Sequence, residues 1–175
     1  MGLLDHSEYL VEEKLLTPRY ALIIKDEKGE ELGRAISKFL SFRGKIEFTD
    51  NQGQKVGSIE GKLSARPTFK IVDQNQEHIA TIKERFLTIH DDWWVENPEG
   101  EKILSVKGDI WGLEYKIEDK SGLVVAEVSK KFWSIRDHFG VKIKYDFSPF
   151  LVLSIVVAIG FQKQKEHGAA AASAS

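Results

Sequence analysis

A fivefold repeat of one short pattern constrains this chain more than any other feature of its sequence. In each unit two apolar residues, separated by one position, precede an Asp or Asn, and in four of the five units a Gly follows three positions later. The alternation is the period of a strand with one buried face, and Asx with Gly at the fourth position suits a type I turn. The turn residues are Asp26, Asp50, Asp73, Asn97 and Asp119. Each unit therefore predicts a β-hairpin.

The returning half of each unit also carries an apolar pair, but its two members are three positions apart, as in Leu32 and Ala35. This spacing predicts a bulge in every returning strand. Consecutive turn residues lie 24, 23, 24 and 22 positions apart, which is too short for strand–helix–strand units. Five hairpins give ten strands, and segments 9–16 and 141–146 are expected to add one strand each.

A sheet of about twelve antiparallel strands must close or leave exposed edges, and closure removes the edges. We therefore predict a mainly β fold, a closed antiparallel barrel built from repeated hairpins. About eight strands is the size whose lumen side chains fill alone, so a twelve-stranded barrel needs something inside it.

The segment FSPFLVLSIVVAIGF, residues 147–161, is the candidate for that filling. It is apolar on every helical face apart from Ser154 and the small Gly160, with Ser148 suited to the N-cap and Pro149 to the first turn. Residues 149–161 span roughly 20 Å as a helix, whereas a hydrocarbon core is about 30 Å thick. Because polar QKQKEH follows, we expect the helix to end there and to lie in the barrel, with membrane insertion as the alternative. The expected core residues are Leu151, Leu153, Ile155, Val156 and Ile159.

Composition limits the remaining possibilities. The formal net charge is −2 with a pI near 6.2, so no overall basic field favours nucleic-acid binding. The chain has no cysteine, and its first residues do not read as a secretory signal. We expect one domain over residues 1–167, a flexible tail or cloning remnant over 168–175, and a monomeric cytoplasmic protein.

Two adjoining stretches carry a resemblance to a known family. KKFWSIRDHFGVKI, residues 130–143, leads into FLVLSIVVAIG, and together with the hairpins it resembles the LURP-one-related group and the tubby-like fold, which is similar in turn to phospholipid scramblases. The resemblance covers roughly residues 9–166. It implies a barrel of about twelve strands around one central hydrophobic helix, no cofactor, and relatives connected with membrane lipids. The cysteine- and proline-rich extension of scramblases is missing, and no phosphoinositide-contacting residue of tubby proteins is matched here.

A basic pattern recurs in the connectors between hairpins. KFLSFR (38–43), RFLTIH (85–90) and KFWSIR (131–136) are three versions of it, at the barrel end opposite the Asx turns. One interpretation is a rim that meets anionic lipid headgroups, where each basic residue is worth about 1 kcal/mol. The other is a set of ordinary solvated strand faces and turn residues. The headgroup candidates are Lys38, Arg43, Lys45, Lys130, Lys131 and Arg136.

Catalytic patterns are weak. His90 with Asp92, and His138 in the triplet RDH, place an imidazole beside carboxylates, but none of the common hydrolase, nucleotide-binding or metal motifs occurs. We therefore expect no enzyme, no metal and no cofactor. Two functions stay open, which are peripheral binding of anionic phospholipid headgroups and a protein-interaction or signalling scaffold that is independent of lipid.

Overall fold

The computed structural model describes residues 2–16, 19–37, 44–85, 92–132 and 138–174. Within these ranges the chain forms twelve strands, a short 3-10 helix over Lys130–Phe132 and one α-helix. The elements are β1 Glu8–Leu16, β2 Arg19–Lys25, β3 Glu31–Ser37, β4 Lys45–Asp50, β5 Lys55–Gly61, β6 Thr68–Asp73, β7 His78–Arg85, β8 Asp92–Glu96, β9 Lys102–Asp109, β10 Glu114–Asp119, β11 Val124–Ser129, β12 His138–Ile143 and α1 Pro149–Ser173.

The strands form a closed barrel. Each strand pairs antiparallel with the next one in the chain, and β1 pairs with β12 to close the ring. Tyr9 lies opposite Val141 and Val11 opposite Phe139 at this seam. The predicted closed antiparallel barrel is confirmed, including the two strands outside the hairpin repeat.

The Asx turns form as the repeat predicts. In the first turn, the Gly29 N–H donates to the Asp26 carbonyl oxygen at 3.0 Å, and the N–H groups of Lys28 and Glu30 donate to Asp26 Oδ1 at 2.9 and 2.8 Å. Gly29 has a φ of 83°, the left-handed region in which glycine is free of strain. In the third turn Gln76 takes the place of this glycine, with a φ of 67°.

A bulge follows every turn. Ile24 faces Gly33 while Lys25 faces Glu31, so Leu32 is the extra residue. Equivalent register shifts occur in the other four hairpins. The bulge explains the spacing of three, because it lets two apolar residues of a returning strand, such as Leu32 and Ala35, both lie in the buried core.

Helix α1 fills the barrel. Leu153, Ile155, Val156 and Ile159 are each at most 2% exposed, and Leu151 in the first turn is half-buried against the same core. The predicted core helix is therefore confirmed. The Ser148 hydroxyl accepts from the Leu151 N–H at 3.3 Å, so the predicted N-cap also forms.

The prediction that the helix ends near Phe161 is wrong, because α1 continues to Ser173. Gln, Lys, Glu and Ala are strong helix formers, so the polar run after Phe161 marks the place where the helix leaves the apolar lumen and not the place where it stops. The last turns of α1 fall within segment 168–175, for which a flexible tail stays a prediction. No helix in the described ranges has the length and apolar character needed to cross a membrane.

Candidate functional site

The two ends of the barrel differ in charge. The residues between the paired strands in the five Asx turns include six carboxylates and two lysines. The described residues of the connectors between hairpins include four basic residues, Lys62, Arg66, Lys130 and Lys131, and no acid. The strand ends that these connectors join form the opposite rim of the barrel, called the connector end below. A charged partner would therefore meet opposite fields at the two ends.

Three of the six predicted headgroup residues lie in the described part. Lys130 and Lys131 are exposed on the 3-10 helix at the connector end. Their backbone N–H groups bond to Glu114 Oε1 at 3.2 Å and to Ser129 Oγ at 3.0 Å, which fixes this helix to the rim. Lys45 instead pairs across the sheet with Glu60 at 3.1 Å.

The other three, Lys38, Arg43 and Arg136, lie outside the described residues, as do His90 and Asp91. The structure therefore does not test whether the six candidates form one surface. Asp92 lies 3.9 Å from Arg85, and His138 lies 3.5 Å from Glu12, which itself pairs with Lys25 at 2.6 Å. Within the described ranges, no group of three or more metal-ligating side chains is placed to hold an ion.

The second half of α1 emerges at the connector end. Lys163 Nζ donates to the carbonyl oxygens of Ile110 and Trp111 at 3.2 and 3.0 Å. The ring of His167 stacks on Trp111 with centroids 5.4 Å apart. These contacts hold one side of the emerging helix against the connector between β9 and β10.

Another side of the emerging helix borders a cleft of about 520 Å³. Residues 61–69, which include the connector between β5 and β6, form one wall of this connector-end cleft. The helix supplies the other wall through Gln162, Gln164, Lys165, Glu166 and Gly168.

Local hydrogen bonds shape the connector wall. Thr68 Oγ1 donates to the Arg66 carbonyl oxygen at 3.1 Å, and Ser64 Oγ lies 3.0 Å from Thr68 Oγ1. The Lys62 N–H donates to the Thr68 carbonyl oxygen at 2.9 Å, and the Arg66 guanidinium lies 5.8 Å from the Trp94 ring centroid. These contacts therefore fix the conformation of the connector wall.

The cleft is apolar inside with cations around it. Phe69 is buried, stacks on Trp93 at 6.4 Å and meets Phe161 edge-on at 6.2 Å. Leu63, by contrast, is 77% exposed. Lys165 Nζ lies 5.6 Å from the Phe161 ring centroid, and burial lowers the pKa of this lysine.

Among the cleft residues, Lys62, Arg66 and Lys165 are basic and Glu166 is the single acid, whose Oε1 accepts from Gln162 Nε2 at 3.0 Å. Sequence reasoning missed this site. Its signals were an exposed leucine between two cations in KLSARP and the polar run after the core helix, but the two segments are distant in sequence and only the fold brings them together.

Comparisons with known proteins agree with this architecture. A family model described as LURP-one-related matches residues 7–160. The uncharacterized protein YxjI of Bacillus subtilis (strain 168) is 23% identical over 159 residues, which cover 87% of this chain and 91% of that protein. The X-ray structure of a protein from Arabidopsis thaliana, AT5G01750, superimposes with a TM-score of 0.62 at 15% identity, covering 90% of this chain and 92% of that one.

Proposed function

The chain belongs to the LURP-one-related family, and from that premise we propose that it is a non-enzymatic module whose connector end binds anionic phospholipid headgroups at a membrane surface. The observation that supports this proposal is the unequal charge of the two barrel ends, since the described connector residues at one end are basic and the Asx turns at the other are acidic. An anionic surface attracts the first and repels the second, so the barrel would approach with its connector end foremost.

Lys130 and Lys131 are the described residues best placed for this contact. Both are exposed, and their short helix is anchored through backbone bonds that do not use the ammonium groups. Each basic residue close to an anionic membrane contributes about 1 kcal/mol, so the pair is worth about 2 kcal/mol, or roughly thirtyfold in affinity.

The test is sedimentation with vesicles of phosphatidylserine and phosphatidylcholine, against vesicles of phosphatidylcholine alone, at low and high salt. The parent protein should bind the anionic vesicles and lose most of that binding at high salt, because screening weakens exposed charges. The variant K130E/K131E should lose at least thirtyfold in affinity while its thermal melting stays nearly unchanged, since exposed charges contribute little to folding.

The matched control is K28E/K120E, which makes the same change of net charge in two exposed turns at the acidic end. It should reduce binding far less than the connector-end variant does. Equal losses in the two variants would show that only net charge matters, and no binding by the parent protein would reject the proposal.

A protein-interaction scaffold is the second candidate. Leu63 and Trp111 are 77% and 44% exposed at the connector end, and a protein partner that covered them would remove their apolar surface from water. This function predicts a protein partner whose binding is lost in L63D but does not require vesicles.

A further inference from the structure

The connector-end cleft has the dimensions and chemistry of a small-molecule site. Its volume of about 520 Å³ lies within the range of about 300–1,000 Å³ that is usual for ligand pockets. Such pockets are mostly apolar with a few polar groups that fix the orientation of the ligand. In the connector-end cleft, Phe69 supplies the buried aromatic surface, and Leu63 on the connector wall is largely exposed to water.

The charge around the cleft indicates the sign of the ligand. Lys62 and Arg66 lie on the exposed connector, and Lys165 lies on the opposite, helical wall. Glu166 is the single acid beside these three cations, so the net charge around the apolar interior is positive. An apolar space bordered by cations complements a molecule that combines a hydrocarbon chain with one anionic group.

We propose that the connector-end cleft binds a single-chain anionic amphiphile of the long-chain fatty acid class, with the hydrocarbon chain against Phe69 and Leu63 and the carboxylate near Lys165. Burial lowers the pKa of Lys165, because its charged ammonium group loses part of its hydration there. A carboxylate beside it would stabilise the charged form. Covering Leu63 would also remove an exposed leucine from water.

The first experiment is calorimetric titration of the whole protein with saturated fatty acids from hexanoate to hexadecanoate, each below its micelle concentration and without vesicles. Binding should be saturable at one ligand per chain. Affinity should rise about fourfold per added methylene until the chain fills the cleft, and then level off. Binding without saturation, or no binding of dodecanoate, would overturn the proposal.

Two variants locate the ligand. L63D should weaken dodecanoate binding at least about tenfold, because it removes apolar contact and adds a repelling charge. L123D is the matched control, since Leu123 is also exposed, at 42%, but lies in an Asx turn at the other barrel end. Equal dodecanoate affinity in these two variants would place the ligand elsewhere and overturn the proposal.

K165M separates the charge from the apolar contact. It should weaken dodecanoate binding while leaving the binding of uncharged dodecanol within about twofold of the parent value. Equal losses for both ligands would contradict the assignment of the carboxylate to Lys165.

Fatty-acid binding in the connector-end cleft does not depend on membrane binding. The fatty acid is offered as a monomer, and K130E/K131E should bind dodecanoate as the parent protein does, because neither lysine lines the cleft. Failure of the vesicle experiment and failure of the titration are therefore distinguishable.

Discussion

Replacing Gly160 by alanine tests the position of the core helix inside the barrel. A Cβ at this position would meet the Tyr20 hydroxyl oxygen well inside van der Waals contact and would lie 3.3 Å from Tyr20 Cζ. Tyr20 is 2% exposed and its ring packs edge-on against Phe161 at 5.7 Å, so the ring has little room to move. Gly160 therefore allows α1 to pass β2 closely.

The expected cost follows from two opposed effects. Overpacking a close-packed core costs about 1–3 kcal/mol, whereas alanine in place of glycine in a helix gains about 1 kcal/mol. G160A should therefore lower the free energy of unfolding by up to about 2 kcal/mol. Urea unfolding followed by tryptophan fluorescence and by circular dichroism measures the change.

Gly168 supplies the matched control, because it lies in the same helix with no atom within 4 Å of an added Cβ. G168A should be neutral or stabilising by up to about 1 kcal/mol. In the double variant Y20F/G160A the clashing hydroxyl is gone, so most of the loss should be recovered, with a coupling energy of at least about 1 kcal/mol. Stabilisation by G160A equal to that of G168A would refute the packing of α1 against Tyr20.

The remaining predictions concern buried charge. I155D places a carboxylate where the side chain is fully buried and should lower the free energy of unfolding by more than about 3 kcal/mol. L123D, on an exposed turn, is the control and should be nearly neutral. A cooperative melt of I155D near the parent temperature would contradict the core helix. Burial raises the pKa of Glu13 above its ordinary value of 4.5, so the ionised carboxyl costs stability at neutral pH and that cost is relieved as the pH falls through the raised pKa. E13Q should therefore increase the urea midpoint at pH 7, and the increase should disappear below about pH 4; a decrease at pH 7 would show that the bond from Gln164 and the nearby lysines outweigh burial.

The repeat predicted the hairpins because turn chemistry and strand alternation are local properties. Asp26 and Gly29 lie within one turn, and the spacing from Leu32 to Ala35 records a bulge that the same few residues form. The core helix was also predictable from the sequence, because residues 153–159 have no polar helix face that could lie against solvent. Barrel closure followed from the number of strands and the cost of open edges.

The cleft was not predictable in the same way. It requires residues 61–69 and the last turns of α1 to lie side by side, and neither segment has a pattern that specifies the other. The polarity of the residues after Phe161 predicts a helix end, but their high helix propensity continues α1 to Ser173. For the proposed headgroup-binding surface, the sequence shows where basic residues concentrate but not which of them face outward together.

The closing pair of the barrel has a consequence for how the protein is made. β1 and β12 meet at the seam, and α1 follows β12 in the chain, so the first strand finds its second neighbour only after all the intervening strands have been translated. At about 5–20 residues per second, synthesis of residues 8–143 takes roughly 7–27 s. During this time any hairpins that form leave open sheet edges and an unfilled apolar face, an arrangement that favours edge-to-edge pairing with other chains.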